Sequence, residues 1–283
     1  MINNRDYNSR NKDRGSGIIL FLSITYFLSW LLWLPALLNV YEIDVSLPEQ
    51  LFVRIGNFMP SILGLIFIFS VEGRAGLSKL TNQLTKVKFS FPWYMFALFL
   101  MPAIMIASYL IAYVTVGLEF ESILLPVIYP EVWQVIPLVV FFVIAQGPAG
   151  EEIGWRGYVL PRLLQRYEPI KAGIVMGMIW AVWHLPKFFI VDSTQYSLTD
   201  AYGIPLALAG YTMYTVMLSI MITLLYIKTG KSILAVLLFH AMANFSHGMV
   251  TILTNTAGGI SIILMMFLFT VLIVYHFKKN WAI

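Results

Sequence analysis

Long apolar stretches alternate along the chain with short polar connections, and their lengths decide how they are read. A helix that crosses a bilayer needs about 20 mostly apolar residues. Eight stretches meet or approach that length: 17–40, 55–71, 91–117, 132–153, 172–191, 204–227, 232–253 and 258–277. They predict an all-α fold, a polytopic membrane helix bundle with about eight transmembrane spans. Residues 1–16 read as a polar tail, and 17–283 as a single transmembrane domain, because no connection is long enough to fold alone. The first apolar run exceeds the roughly 7–15 residues of a cleavable leader. It ends in Pro35, Leu38 and Tyr41, so it reads as an uncleaved anchor.

Composition agrees with the pattern. Apolar residues make up 59% of the 283 positions and charged residues 11%, where a soluble domain carries about 25% charged residues. A soluble protein of this size has no way to hide so much apolar surface, and a disordered chain would lack it. Cysteine is absent, which excludes disulfides, cysteine nucleophiles, iron–sulfur clusters and thiolate zinc sites. The net charge of +4 has a topological origin rather than a nucleic-acid partner. Of the 18 Lys and Arg residues, 16 fall in the N-terminal tail, the C-terminal tail or the connections after spans two, four and six. Only Arg54 and Lys187 fall on the other side, among connections rich in Asp and Glu. Basic residues mark the cytoplasmic side, so the expectation is an integral membrane protein with both termini cytoplasmic.

Charged groups within a membrane helix cost several kcal/mol unless paired or hydrated, so each is a functional-site hypothesis. Glu151 and Glu152 stand at the expected cytoplasmic end of span four, in Gly147-Pro148-Ala149-Gly150-Glu151-Glu152-Ile153-Gly154-Trp155-Arg156. Residues four apart share a helix face, and adjacent ones point about 100° apart. Glu152 and Arg156 therefore form a bracing pair, which leaves Glu151 on another face without its own cation. His184 follows Trp180 by four residues in span five. His240, Asn244 and His247 lie on one face of span seven. His276 stands beside Lys278 and Lys279 at the membrane surface.

A carboxylate, two imidazoles and a carboxamide suit hydrolysis. The carboxylate takes a proton from water, one imidazole shares that water, and the second imidazole and the carboxamide donate hydrogen bonds to the developing oxyanion. Glu151, His184 and His240 also make a His₂Glu set of the kind that holds catalytic zinc. Several intramembrane routes are excluded. There is no H-E-x-x-H helix, no Asp in any predicted span, no G-x-S-x-G elbow and no phosphate-binding loop.

The ordered set Glu151-Glu152-x-x-x-Arg156, Trp180-x-x-x-His184 and His240-x-x-x-Asn244 resembles the CPBP family. These are the type II CAAX prenyl endopeptidases and their bacterial relatives, also called Abi proteins. The motifs occupy residues 147 to 245, within an expected catalytic core of about 132–253. The resemblance implies that Glu151 and His184 activate the water, that His240 and Asn244 stabilise the oxyanion, and that Glu152 and Arg156 support the site. It implies an enzyme of the bacterial cell membrane, acting near the cytoplasmic face on a membrane-associated peptide or protein. The family name adds a prenylated CAAX terminus as substrate. One position departs: the family's second motif usually opens with Phe, and Trp180 stands here. Trp155, Trp180 and Trp183 flank the site and are candidates for an apolar substrate groove. Two other classes fit the polar cluster: a non-catalytic bacteriocin-immunity or peptide-binding protein, and a transporter, which would show internal inverted repeats that this sequence lacks.

Overall fold

A computed structural model describes residues 4–40, 43, 48–117, 144–145, 147–191, 193–249 and 252–279. Helices α1 (Asn4–Asn39), α2 (Glu49–Leu84) and α3 (Phe91–Val116) come first. A broken helical segment follows: α4 (Pro148–Glu152), a π-helical stretch (Ile153–Val159) and α5 (Leu160–Leu163). Then come α6 (Pro169–Trp183), a 3₁₀ turn (Leu185–Phe189) and the short α7 (Thr194–Tyr202). Helices α8 (Ile204–Lys228), α9 (Ile233–Met249) and α10 (Thr256–Lys279) complete the bundle. The described residues form no strand.

Five of these helices are long and apolar enough to cross a membrane: 17–39 of α1, then α2, α3, α8 and α10. Two expected spans are shorter helices instead, α6 with 15 residues and α9 with 17. Most of the expected fourth span lies outside the described residues, and its end differs from the expectation. A new helix begins at Pro148, behind the non-helical Gly147. Proline suits that first position because its missing N–H has no helical partner there anyway. The π-helical stretch stands just before Pro161, which cannot donate to the preceding turn, so the backbone widens ahead of it.

Packing gives the bundle two distinct ends. At one end Asn39 donates to Glu49 (2.5 Å), and Tyr202 donates to the Leu253 carbonyl (2.6 Å). At the other end Arg162 pairs with Glu72 (2.9 Å), Lys86 donates to the Gly230 carbonyl (2.8 Å), and Lys228 lies over the Phe277 ring. Gly17 near the start of α1 meets Tyr158, one turn from Arg162, so α1 runs from this second end to the first.

Helix α6 packs closely on α8 through the Gly173-x-x-x-Gly177 pair. A Cβ on Gly173 would lie 2.9 Å from Ile220 Cα, and one on Gly177 would lie 2.5 Å from Val216 Cα. Both neighbours are backbone, so neither can rotate away. Gly177→Ala is therefore expected to force α6 off α8 and lower stability by about 1–3 kcal/mol. Thermal melting in detergent measures this, with Gly210→Ala as control, since a Cβ there meets nothing within 4 Å.

Candidate active site

Glu151 lies in the first turn of a helix, α4, and Glu152 ends that short helix where the π-helical stretch begins, rather than both standing at the end of a long span as the sequence suggested. Acidic side chains are favourable in a first turn, because the unpaired N–H groups and the helix dipole present positive charge. Both side chains are buried. Glu152 Oε1 accepts from Arg156 Nη1 at 2.8 Å, as the spacing of four predicted. The same oxygen accepts from His240 Nδ1 at 2.7 Å, which brings in α9 from 88 residues away. Glu152 and Arg156 are fully buried, so neither charge is shared with water.

Trp180 is the second organising residue. Its indole N–H donates to Glu151 Oε2 at 2.6 Å, and its carbonyl accepts from His184 Nδ1 at 2.9 Å. Its ring meets the His240 ring edge-on at 4.9 Å, and the Arg156 guanidinium covers it at 4.7 Å. One side chain thus touches or orients four of the residues singled out from sequence. With Nδ1 engaged as donor, His184 carries its proton on that nitrogen, and Nε2 is left as an acceptor. His184 is also packed between Trp183 and Tyr211, with ring centroids 4.6 and 5.4 Å away.

Glu151, Trp180, His184, His240, Asn244 and His247 all line one cavity of about 1160 Å³. Asn244 is exposed in it, one turn beyond His240 on α9. His247 bonds the Tyr214 hydroxyl at 2.5 Å. Glu152 and Arg156 stand behind the wall. Lys187 was not singled out for the site, yet it lines the cavity and its charge acts on Glu151. Glu151 therefore does have a cation nearby, contrary to the sequence reading. The available signal was that Lys187 is one of two basic residues on the acidic side. Tyr211 and Asn57 also line the cavity and carried no sequence signal.

Three further expectations change. Trp155 and Trp183 are fully buried, pack against each other at 5.7 Å and do not line the cavity, so they are core rather than groove. Among the described residues, no three His, Asp or Glu side chains gather closely enough to hold a metal ion, so Glu151, His184 and His240 do not fit as a zinc ligand set. The site was also expected at the same end as the termini. A Cβ on Gly150 would touch the Asn57 carbonyl, so Glu151 is level with a position eight residues into α2 and fifteen before Glu72. That is about 12 Å from the Glu49 end and about 22 Å from the end where the tail of α1 lies.

Removing one partner of a buried ion pair leaves an uncompensated charge and costs about 3–5 kcal/mol. Arg156→Met is expected to destabilise by that amount. The double change Glu152→Gln with Arg156→Met should recover most of it. Unfolding of the purified proteins in detergent checks both values.

Comparison with known proteins agrees with these motifs. CAAX prenyl protease 2 of Methanococcus maripaludis is 26% identical to this chain over 252 residues, covering 84% of this chain and 86% of that protein. Residues 131–246 match the family described as Type II CAAX prenyl endopeptidase Rce1-like, and that interval holds all three motifs. Across its Glu-Glu, Trp-His and His-Asn motifs, this chain is thus similar to the Rce1-like type II CAAX prenyl endopeptidases over residues 131–246.

Proposed function

We propose that this protein is an intramembrane endopeptidase that hydrolyses a peptide bond by water activated on Glu151 and His184. The observation that carries the reading is the buried Glu151 carboxylate, which lines a largely apolar cavity together with His184, His240 and Asn244. Glu151 takes one proton from water, and His184 Nε2 accepts a hydrogen bond from the other. The hydroxide attacks the scissile carbonyl carbon. Negative charge moves to the carbonyl oxygen, which His240 Nε2 and the Asn244 amide stabilise as donors. For His240 to donate through Nε2 as well as Nδ1, the ring must carry both protons, and Glu152 at 2.7 Å is the counter-charge for that form. Collapse of the intermediate breaks the C–N bond, and Glu151 returns its proton to the leaving nitrogen.

The substrate is a membrane-associated peptide. Leu206, Ile260 and Leu264 line the cavity and are exposed, so an apolar anchor, prenyl or otherwise, has a path along them. Arg54 and Lys187 line the same cavity and suit the terminal carboxylate of a CAAX-type peptide.

Glu151→Gln is expected to lower turnover of a quenched lipidated peptide by about 10²–10⁴-fold, the usual contribution of a general base. The melting temperature should stay near that of the parent. Full turnover in this variant would remove Glu151 from the chemistry and the proposal with it. Trp180→Phe keeps the ring against His240 and Arg156 but deletes the donor to Glu151. It should lower kcat by roughly tenfold, the scale of one hydrogen bond to a carboxylate, with KM little changed. Steady-state kinetics on the same peptide separates the two parameters.

A further inference from the structure

We infer that the cavity opens on the extracytoplasmic side of the membrane, so that the substrate is a membrane-anchored peptide presented from the outer leaflet. The inference rests on the peptidase reading for the word substrate, and on charge and geometry alone for the side. The two ends of the bundle differ sharply in basic residues. Arg74, Lys79, Arg162, Lys228 and Lys278 stand at the end where α1 begins and α10 finishes, and the exception among the 16 is Arg156, the buried partner of Glu152. None of these 16 residues lines the cavity. Both of the remaining basic residues, Arg54 and Lys187, do.

The cavity wall is built from the opposite end. It includes Asn39 where α1 stops, Gln50 where α2 starts, Tyr202 where α7 stops and Thr256 where α10 starts. Asn39, Gln50 and Arg54 are exposed, which puts the mouth at that end. The catalytic groups lie between the mouth and mid-bundle, since Glu151 is level with Asn57. Lys and Arg in short connections are retained on the cytoplasmic side during insertion. With the buried Arg156 set aside, a bias of 15 to 2 therefore sets the basic end inside and the mouth outside. A prenylated protein in the cytosol would meet the closed end of this bundle. A lipidated or hydrophobic peptide exposed at the outer leaflet would meet the open one, with Arg54 and Lys187 offering two cations to its carboxylate.

The chain has no cysteine, so single reporters can be placed without a background. Ser197 on α7 is exposed at the cavity end, and Ser78 on α2 is exposed at the basic end. Full-length Ser197→Cys and Ser78→Cys proteins are labelled in intact cells with a membrane-impermeant maleimide, then again after lysis. Ser197→Cys should label equally in both, and Ser78→Cys only after lysis. The reverse pattern overturns the inference. Gln50→Cys and Lys79→Cys form a second pair should either serine variant fail to insert.

Sealed vesicles of both orientations supply the other arm, with an added quenched peptide that bears a palmitoyl anchor and a free C-terminal carboxylate. Cleavage should occur with right-side-out vesicles and vanish with Glu151→Gln. Cleavage by inverted vesicles alone overturns the inference and leaves the peptidase reading standing. Loss of Glu151-dependent cleavage in both orientations overturns the peptidase reading, while the labelling still decides the side.

Discussion

A single carboxylate oxygen, Oε1 of Glu152, accepts from both the Arg156 guanidinium and the His240 imidazole. In a low-dielectric interior an unpaired carboxylate carries a large desolvation cost, so this oxygen keeps its two donors or the local fold gives way. The bond to Arg156 fixes the turn in which α4 passes into the π-helical stretch. The bond to His240 fixes the rotation of α9 about its axis. The guanidinium in turn covers the face of Trp180 and so carries the constraint to α6. Trp180 then holds Glu151 through its indole N–H and His184 through its carbonyl. The groups that face the cavity thus trace their positions back to Glu152 and Arg156, which do not line it.

The walls of that cavity combine two requirements that conflict in a membrane. Hydrolysis needs water and polar donors, and a lipidated substrate needs an apolar path. Glu151 of α4, His184 at the end of α6 and His240 and Asn244 of α9 line the cavity, and α8 and α10 add Leu206, Ile260 and Leu264. Polar side chains in the wall are also tied to one another, as Tyr214 is to His247 and Gln195 is to Tyr211. Such ties keep buried donors and acceptors satisfied when no substrate is present.

Much of this was legible in the sequence where the governing distance is local. Apolar run length marked out the five helices long enough to cross a membrane, and a spacing of four placed Arg156 on Glu152. The Gly173-x-x-x-Gly177 spacing is that of a close helix contact, though it does not name the partner, α8. What escaped the sequence depends on contacts between distant segments. The bond from His240 to Glu152 spans 88 residues, and the bond from Trp180 to Glu151 spans 29. Reading Trp180 as one aromatic in place of another counted its ring and overlooked its N–H. Reading Trp155 and Trp183 as groove walls took proximity in sequence for exposure, whereas both rings turn into the core. The end of α4 was misplaced because an apolar run does not reveal the break at Gly147, which puts Glu151 in the first turn of a new helix rather than at the end of a long span.

The shortness of α6 has a consequence for the lipid around it. Fifteen residues rise about 22 Å, less than the roughly 30 Å of a hydrocarbon core. The deficit falls at the Trp183 end, where the chain turns into the 3₁₀ segment and His184 begins the polar wall. A bilayer that matched this shorter helix would thin at that end and bring its headgroup layer toward the histidine. The bilayer's own thickness thus becomes part of the site's water supply, and thin or disordered lipid favours hydration of the carboxylate more than a thick, sterol-stiffened sheet does.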